Sequence, residues 1–169
     1  MIRKYQPDDF HILEKWVQDP KLLFTFAGPS WSFPITQQQV AAHQEKFPNK
    51  QLYIGLNDLG DPIAIGEIIT DEPHSPRLGR LLVGDPALRG KGIGEKFIRE
   101  LIAECVRLNQ IDNICLFVLE ENQSAISLYK KIGFIFSEEK IPDMILENQS
   151  YPVLKMLLKI ADFNIRNLP

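Results

Sequence analysis

The chain has 169 residues, of which 44% are apolar and 24% charged, a composition typical of one globular domain spanning residues 1–169. The 19 Lys and Arg against 22 Asp and Glu give a net charge of −3, so no basic field favours binding to nucleic acid. No stretch approaches the roughly 20 apolar residues of a membrane helix. The N-terminus turns acidic at Asp8 and Asp9, where a signal peptide turns apolar. We therefore expect a cytoplasmic protein that binds neither nucleic acid nor membranes.

The cysteines and histidines give no sign of a metal or redox site. Cys105 and Cys115 fall inside apolar patterns and match no CxxC spacing, so both are expected to be buried thiols. His11, His43 and His74 fall on a helix, a helix and a loop without a partner pattern. We interpret each histidine as structural or exposed, and we expect no bound metal.

The first part of the chain predicts a strand, two helices and an irregular segment. Residues 1–6 alternate weakly and predict a strand, and apolar residues at helical spacing predict a helix that ends before Pro20. The segment Phe24–Phe33 contains glycine and proline and is interpreted as an aromatic loop. Thr36 and Gln39 have the spacing of a capping box, which predicts the second helix.

The rest of the chain alternates between strands and helices. Strands are predicted at Leu52–Leu56, Ile63–Thr70, Leu78–Val83, Asn113–Leu119, Phe134–Glu138 and Tyr151–Lys159. A long amphipathic helix precedes the fourth of these, a helix capped by Asn122 and ended by Gly133 follows it, and an acidic loop over residues 138–147 precedes the last. The unit over residues 78–119 requires a parallel crossover, whereas the leading strands form an antiparallel set. We predict an α/β (α+β) fold around a mixed, mostly antiparallel sheet.

The segment just before the long helix has the features of a phosphate-binding loop. Gly90, Gly92 and Gly94 leave the backbone bare where the helix presents unpaired N–H groups and its positive dipole end. Arg89 and Lys91 add positive charge. Glycines before a helix also serve simply as turn and packing residues, and both interpretations stand at this point. The loop is neither a Walker A loop, which needs Ser or Thr after Gly-Lys, nor a G-x-G-x-x-G dinucleotide fingerprint.

Two motifs resemble the signatures of the GNAT superfamily of acyl-CoA-dependent N-acyltransferases. Residues 89–94, Arg-Gly-Lys-Gly-Ile-Gly, match its acyl-CoA loop, Arg/Gln-x-x-Gly-x-Gly/Ala, at every fixed position. Residues 122–134 resemble its second signature, Asn-x-x-Ala-x-x-Leu-Tyr-x-Lys-x-Gly-Phe. The sequence departs from the family pattern at Gly84, which lengthens the connection before Pro86 by one residue. We expect this glycine to form or relieve a β-bulge.

The resemblance implies where acetyl-CoA, the acyl donor, would bind. Helices would cover both faces of the sheet, and the strands Leu78–Val83 and Asn113–Leu119 would splay into a V-shaped opening that holds pantetheine like an added strand. Asn122 would reach the pantetheine arm, with helix capping alone as the alternative. Main-chain contacts would come from Leu81, Leu82 and Val83, and the pyrophosphate cradle from Arg89, Gly90, Lys91, Gly92, Ile93 and Gly94.

Tyr129 has two interpretations. It shares a helix stripe with Ala125 and Ile132, so from the pattern alone it is most simply a core tyrosine. The resemblance implies instead that its hydroxyl faces the acyl sulfur and protonates the departing thiolate. A phenol with a pKa of about 10 is protonated at neutral pH and can act as this acid.

Glu67 is the candidate base that deprotonates the acceptor amine. It shares strand parity with Ile65 and Ile69, and a carboxylate on an apolar row is expected to have a raised pKa. If Gly66 marks a bulge, the parity shifts and Glu67 becomes a solvated surface residue. No nucleophilic triad is visible, which favours direct transfer in a ternary complex over a covalent acyl-enzyme.

The sequence therefore predicts an enzyme that transfers an acetyl group from acetyl-CoA to a primary amine of a small molecule, peptide or protein. The acidic loop and the aromatic segment are expected to flank the acceptor and to suit a cationic amine with an apolar body. The alternative is a non-catalytic CoA-binding regulatory or interaction module, in which Tyr129 and Glu67 are dispensable. A simple nucleotide-binding module is disfavoured by the failed loop patterns. The sequence does not distinguish a monomer from a homodimer.

Overall fold

The computed structural model describes residues 1–108 and 110–163. Its strands are β1 (Ile2–Lys4), β2 (Lys50–Leu56), β3 (Pro62–Ile69), β4 (Arg77–Val83), β5 (Asn113–Leu119), β6 (Ile135–Phe136), β7 (Met144–Leu146), β8 (Gln149–Tyr151) and β9 (Val153–Lys159). Its helices are α1 (Phe10–Trp16), α2 (Pro20–Ala27), α3 (Gln37–Lys46), α4 (Ile93–Leu108) and α5 (Gln123–Ile132). No helix in these two described ranges has the length and apolar character needed to cross a membrane.

Within the described residues, seven strands form one mixed sheet in the order β1-β2-β3-β4-β5-β9-β6. Each neighbouring pair is antiparallel except β4 with β5, which are parallel because α4 connects them as a crossover. These two strands pair only where Arg77 and Leu78 meet Cys115 and Leu116. Beyond these residues they separate, which confirms the predicted sheet and its splayed strand pair.

Helices cover both faces of the sheet, as predicted. α4 and α5 pack against one face through an apolar cluster that includes Phe97, Leu101, Ile102, Ile126 and Ile132. α1, α2 and α3 cover the other face through Leu13, Leu23, Phe26 and Val40. Cys105 and Cys115 are buried free thiols, in agreement with the sequence prediction.

Local hydrogen bonds fix two helix starts and one helix end at the predicted residues. The Thr36 hydroxyl accepts from the Gln39 N–H (3.3 Å) at the start of α3. The Asn122 side chain accepts from the Ala125 N–H (3.2 Å) at the start of α5. Gly133 ends α5 in the left-handed conformation, with φ of 118°, which a residue without a β-carbon adopts readily.

The prediction of an aromatic loop over Phe24–Phe33 is wrong for the first part of that segment, which belongs to α2. Asp19 caps this helix by accepting from the Leu22 N–H (2.8 Å). Pro20 occupies the first helical turn, where its missing N–H has no intrahelical acceptor to lose. The helix ends at Gly28, with φ of 61°. Proline and glycine therefore bound this helix instead of preventing it.

The prediction of a loop over residues 138–147 is also wrong in part. This segment contains β7, which forms a two-stranded hairpin with β8. The hairpin packs against α2, and the rings of Phe24 and Tyr151 lie 5.0 Å apart. The predicted strand over residues 151–159 is consequently divided between β8 and β9, and the predicted strand over residues 134–138 shortens to β6.

A β-bulge lies in β4. Against β3, Leu82 pairs with Ile65 and Gly79 pairs with Glu67. β4 therefore has one more residue than β3 between these two pairs, which is the definition of a bulge. Within this stretch Arg80 takes a left-handed backbone conformation, with φ of 48°.

Gly84 is not the bulge, contrary to the sequence-based expectation. Its N–H donates to the Ile63 carbonyl oxygen (3.0 Å) just beyond the last residue of β4. The ring of Trp16 lies directly against its Cα, and a β-carbon at this position would overlap that ring. The glycine is therefore needed for the close approach of α1 to the end of β4.

Candidate active site

A cleft of about 820 Å³ opens between the splayed strands β4 and β5, within the size range of small-molecule sites. It runs from the loop before α4, past the start of α5, to a pocket between α2 and the beginning of β4, which we call the acceptor end. Of the predicted site residues, those that line it are Leu81, Leu82, Val83, Arg89, Gly90, Gly92, Gly94, Asn122 and Tyr129. The side chains of Glu67, Lys91 and Ile93 do not line it.

The glycines of the loop before α4 serve two different purposes. Gly90 and Gly92 have φ of 74° and 81°, and a β-carbon at either position would meet no atom within 4 Å. Backbone conformation, not packing, therefore requires them. At Gly94 a β-carbon would lie 3.2 Å from Leu128, so this glycine lets α4 approach α5. The open space beside the first two glycines and the free N–H groups of the first turn of α4 suit a pyrophosphate.

Positive charge surrounds this loop. Arg89 donates from Nε to the Val83 carbonyl oxygen (3.1 Å), which ties the loop to the end of β4. Lys131, from the second signature, also lines the cleft and pairs with Glu95 at 2.6 Å. Both cations favour an anionic group at this end of the cleft.

Asn122 combines the two roles that the sequence leaves open. Its Oδ1 accepts from the Ala125 N–H (3.2 Å) and from the Ser124 hydroxyl (3.1 Å), so the side chain caps α5. The residue lines the cleft, and its amide nitrogen has no acceptor among the described residues. The oxygen can therefore cap the helix while the nitrogen donates to a bound ligand.

Tyr129 is both a core residue and a cleft residue. Its ring packs against Phe134, with centroids 6.1 Å apart, and the residue is 7% exposed. Burial raises the pKa of its phenol well above the usual value. The hydroxyl therefore stays protonated over the whole neutral range, as an acid for a departing thiolate must.

The strand parity predicted for Glu67 is correct. β2 and β3 remain in regular register through Gly66, which pairs with Tyr53, so Gly66 is not a bulge. Gly66 instead permits close contact with Leu101 of α4 on the opposite face. Glu67 is 0% exposed, and the interpretation as a solvated surface residue is wrong.

Glu67 is not an isolated carboxylate on an apolar row. Its Oε1 lies 2.7 Å from His43 Nε2, and its Oε2 accepts a hydrogen bond from Arg80 Nη1. His43 is therefore a buried structural histidine, and its partner is one that the sequence pattern does not reveal. Because both carboxylate oxygens are engaged and neither lines the cleft, the assignment of Glu67 as the base stays a prediction.

Arg80 is a cleft residue that the sequence reasoning missed. Its side chain is 9% exposed and its guanidinium carbon lies 4.6 Å from the centre of the Trp31 ring. Burial lowers the pKa of Arg80 from its usual value, and the neighbouring Glu67 carboxylate opposes this effect. An arginine in the middle of an apolar strand was the available signal, since a buried cation requires an anionic partner.

The acceptor end of the cleft is basic, contrary to the prediction of an acidic flank. The aromatic segment does line it, from Phe26 to Ser30, but Met144 is its only lining residue from residues 138–147. Glu139 pairs with Lys155, and Asp143 accepts from Ser150. The cationic side chains that line this end are Lys50, Arg77 and Arg80.

Residues 1–108 and 110–163 contain no group of three or more His, Cys, Asp or Glu side chains arranged to hold a metal ion.

The splayed strands, the glycine loop and the second signature define the class of protein. The profile of the Acetyltransferase (GNAT) family matches residues 12–134. The chain belongs to this family, and the resemblance seen in the sequence is confirmed. This family is one of acetyltransferases, which agrees with the predicted class of enzyme.

Curated relatives carry the names of acetyltransferases. N-alpha-acetyltransferase 50 of Danio rerio is 32% identical over 115 residues, which are 64% of this chain and 65% of that protein. An N-acetyltransferase 9-like protein of Caenorhabditis elegans is 36% identical over 55 residues, 32% of this chain and 27% of that protein. Mycothiol acetyltransferase of Salinispora arenicola is 32% identical over 68 residues, 39% of this chain and 22% of that protein. The chain thus spans less than two thirds of the length of each.

Solved structures share the fold over almost the whole chain. The spermidine N-acetyltransferase of Vibrio cholerae in complex with CoA and spermine has a TM-score of 0.79 at 14% identity, and 95% of each chain is covered. A single-residue mutant of the Vibrio cholerae enzyme has a TM-score of 0.78 at 16% identity, with 98% of each chain covered. These structures confirm the predicted fold class.

Proposed function

We propose that the protein transfers an acetyl group from acetyl-CoA to a primary amine by direct attack in a ternary complex. The observation that carries this proposal is the continuity of the cleft. One space joins the glycine loop, Asn122, Tyr129 and the acceptor end between two strands that separate. Family membership supports the choice of acetyl-CoA as donor. The cytoplasmic location stays a prediction.

The donor would lie along the free edges of the splayed strands. The backbone of β4 beyond Leu78 has no partner in β5, so the main chain of Leu81, Leu82 and Val83 is available to pantetheine. The pyrophosphate would be held by the backbone and cations of residues 89–94, which include Lys91 and Ile93. The side-chain nitrogen of Asn122 would donate to a carbonyl of the pantetheine arm.

The transfer requires one proton to be delivered and one to be removed. The amine nitrogen bonds to the acetyl carbonyl carbon, and the bond from that carbon to sulfur breaks. The Tyr129 hydroxyl supplies the proton that the departing sulfur needs, and solvent restores it afterwards. The amine loses its proton to a base, for which Glu67 is the candidate, directly or through a water molecule.

The charge of the acceptor end indicates which amines can bind there. The Vibrio cholerae structure holds spermine, a polycation. Here the acceptor end is lined by Lys50, Arg77 and Arg80, which would repel a second positive charge on the acceptor. We therefore do not extend polyamine acetylation to this chain.

One experiment separates an enzyme from a non-catalytic CoA-binding module. The protein is incubated with acetyl-CoA, a thiol reagent that reports free CoA, and a panel of primary amines. An enzyme releases CoA at a rate that depends on the amine, and mass spectrometry finds the acetylated amine. A binding module protects acetyl-CoA or leaves its hydrolysis unchanged with every amine in the panel.

A further inference from the structure

The backbone at Arg80 is held in a conformation that disfavours arginine. Its φ of 48° lies in the left-handed region, which is strained for a residue that has a β-carbon. The bulge at this point places the side chain on the same face of the sheet as Glu67 and Trp31. Strained residues that a fold retains are concentrated at functional sites.

Three side chains hold the Arg80 guanidinium in place. Glu67 accepts from Nη1, the Trp31 ring lies 4.6 Å from the guanidinium carbon, and His43 lies 2.7 Å from the other Glu67 oxygen. Trp31, His43 and Glu67 are 6%, 6% and 0% exposed. A group fixed in this way loses little conformational entropy when it binds a ligand.

The cluster contains donors that are not used. Arg80 Nε and Trp31 Nε1 are buried and have no hydrogen-bond partner among the described residues. A buried donor without an acceptor is destabilising, because it has lost its hydrogen bonds to water. Because Nη1 is occupied by Glu67, Nη2 is the amino group left for a ligand, and the buried Nε lies on the same edge of the guanidinium. This edge matches the spacing of two carboxylate oxygens.

The charge around the cluster favours an anion. The cleft lining as a whole includes five cationic side chains, Lys50, Arg77, Arg80, Arg89 and Lys131, against two acidic ones, Glu95 and Glu121. At the acceptor end, the negative charge of Glu67 balances the positive charge of Arg80, one of the three cationic side chains there. Asp71 lies 3.9 Å from Arg77 but is half exposed, so solvent screens this pair.

We propose that the acceptor is an amine that also carries a carboxylate, and that Arg80 binds this carboxylate. The inference rests on the proposed transfer to an amine and names the chemical class of the acceptor. Phe26, Phe117 and Met144 line the same end and provide contact area for an apolar part of the acceptor. Amino acids and short carboxylate-bearing amines have this chemistry. Glu67 is then a positioning residue for Arg80, whatever its part in proton transfer.

The test compares acceptors that differ only in the group distant from the amine. The probes are 6-aminohexanoate, its amide, 1,6-diaminohexane and 6-aminohexyl phosphate, whose amines have similar pKa values because the second group is far away. Leucine and leucinamide cover a carboxylate adjacent to the amine, and this pair is compared at a pH where both amines are neutral because the adjacent group changes the amine pKa. Of the two carboxylates, 6-aminohexanoate and leucine, we take the one with the higher kcat/KM. We expect this value to exceed that of the corresponding amide by at least about tenfold. Among all probes, 1,6-diaminohexane is expected to have the lowest kcat/KM.

The double variant Arg80→Gln with Glu67→Gln tests the assigned residue. It removes both charges together, so no buried charge is left unpaired. The readout is the ratio of kcat/KM for carboxylate over amide within each variant, which is expected to fall to about one. Arg107→Gln is the matched control, since Arg107 is an exposed arginine of α4 paired with Glu104, and it should keep the wild-type ratio. A ratio that survives in the double variant overturns the assignment to Arg80.

Equilibrium binding separates this inference from the proposed enzyme activity. Calorimetry of 6-aminohexanoate and its amide against the unmodified protein saturated with CoA requires no turnover and no variant. Tighter binding of the carboxylate without turnover supports the anion site and contradicts the enzyme. Equal binding, tighter binding of the diamine or a preference for the phosphate overturns the carboxylate proposal, even if acetyl transfer to some amine is observed.

Discussion

Glu67 Oε1 lies 2.7 Å from His43 Nε2 behind the acceptor end of the cleft, and the second oxygen of the same carboxylate accepts from Arg80. This shared carboxylate connects α3 to the bulge in β4. Glu67 can therefore affect catalysis in two ways, as the base or by holding Arg80, and the two roles predict different kinetics.

Glu67→Gln should lower kcat/KM by at least about tenfold, because either role needs the carboxylate. The pH profile between about pH 5 and 9 distinguishes the roles. Loss of the acidic limb assigns Glu67 as the base, since the titrating carboxylate has been replaced by an amide of similar shape. If the acidic limb of the profile is retained and KM for carboxylate-bearing acceptors rises, Glu67 acts by positioning Arg80.

Two controls accompany this measurement. The profile is repeated with a less basic amine, because an acceptor with a pKa of about 10 contributes a pH dependence of its own. Glu104→Gln removes another well-shielded, hydrogen-bonded carboxylate, which contacts Arg107 and Tyr53 outside the cleft. Its profile should match that of the unmodified protein.

Gly92→Asp should weaken acetyl-CoA binding by at least about tenfold, measured by calorimetry. The new side chain brings a negative charge to the helix N-terminus where the pyrophosphate is proposed to bind. Gly60→Asp is the matched control, because Gly60 also has positive φ (88°) and open space around it, in the β2–β3 turn. If both variants fold and bind acetyl-CoA equally well, the loop is not the phosphate site.

Tyr129→Phe should lower kcat by about 10²-fold while acetyl-CoA affinity stays nearly constant. The change removes the proton donor and preserves the ring that packs against Phe134. Since burial raises the phenol pKa, the wild-type kcat should show no basic limb from this residue below about pH 10. Tyr53→Phe is the control, since Tyr53 is buried and its hydroxyl bonds to Glu104 away from the cleft. Equal turnover in the two variants would remove Tyr129 from the mechanism.

Gly84→Ala should destabilise the protein by about 1–3 kcal/mol, because its β-carbon overlaps the ring of Trp16. Chemical denaturation of the single variants and of the pair with Trp16→Leu measures the coupling between them. The smaller side chain should make room, so the double variant is expected to lose less than the two single variants added together. If the losses in unfolding free energy of the two single variants simply add, the contact with Trp16 does not restrict the side chain at position 84.

Neither cysteine should react with a thiol reagent while the protein is folded, and both should react in denaturant. Burial raises the pKa of Cys105 to about 12 and also raises that of Cys115, so the reactive thiolate is scarce at assay pH. A titration with and without denaturant checks this. Reaction of either thiol in the native protein would indicate local opening of the core around α4 or β5.

The sequence alone determined the elements that local chemistry specifies. The glycine loop, the cap at Asn122, the end of α5 at Gly133 and the strands β4 and β5 follow from hydrogen bonding and periodicity within a few residues. α2 is not predicted from the sequence, because Pro20 both ends the preceding helix and is suited to the first turn of the next.

The tertiary structure decided what depends on register and on distant contacts. The bulge moves β4 by one residue relative to β3, and this shift makes Arg80 the partner of Glu67 although they are 13 positions apart in the sequence. The basic character of the acceptor end arises from Lys50 of β2, Arg77 at the start of β4 and Arg80 within the bulge. Likewise, Gly84 owes its identity to Trp16 of α1. Periodicity cannot specify these pairs, because it describes which face a residue occupies and not which residue of another element lies opposite.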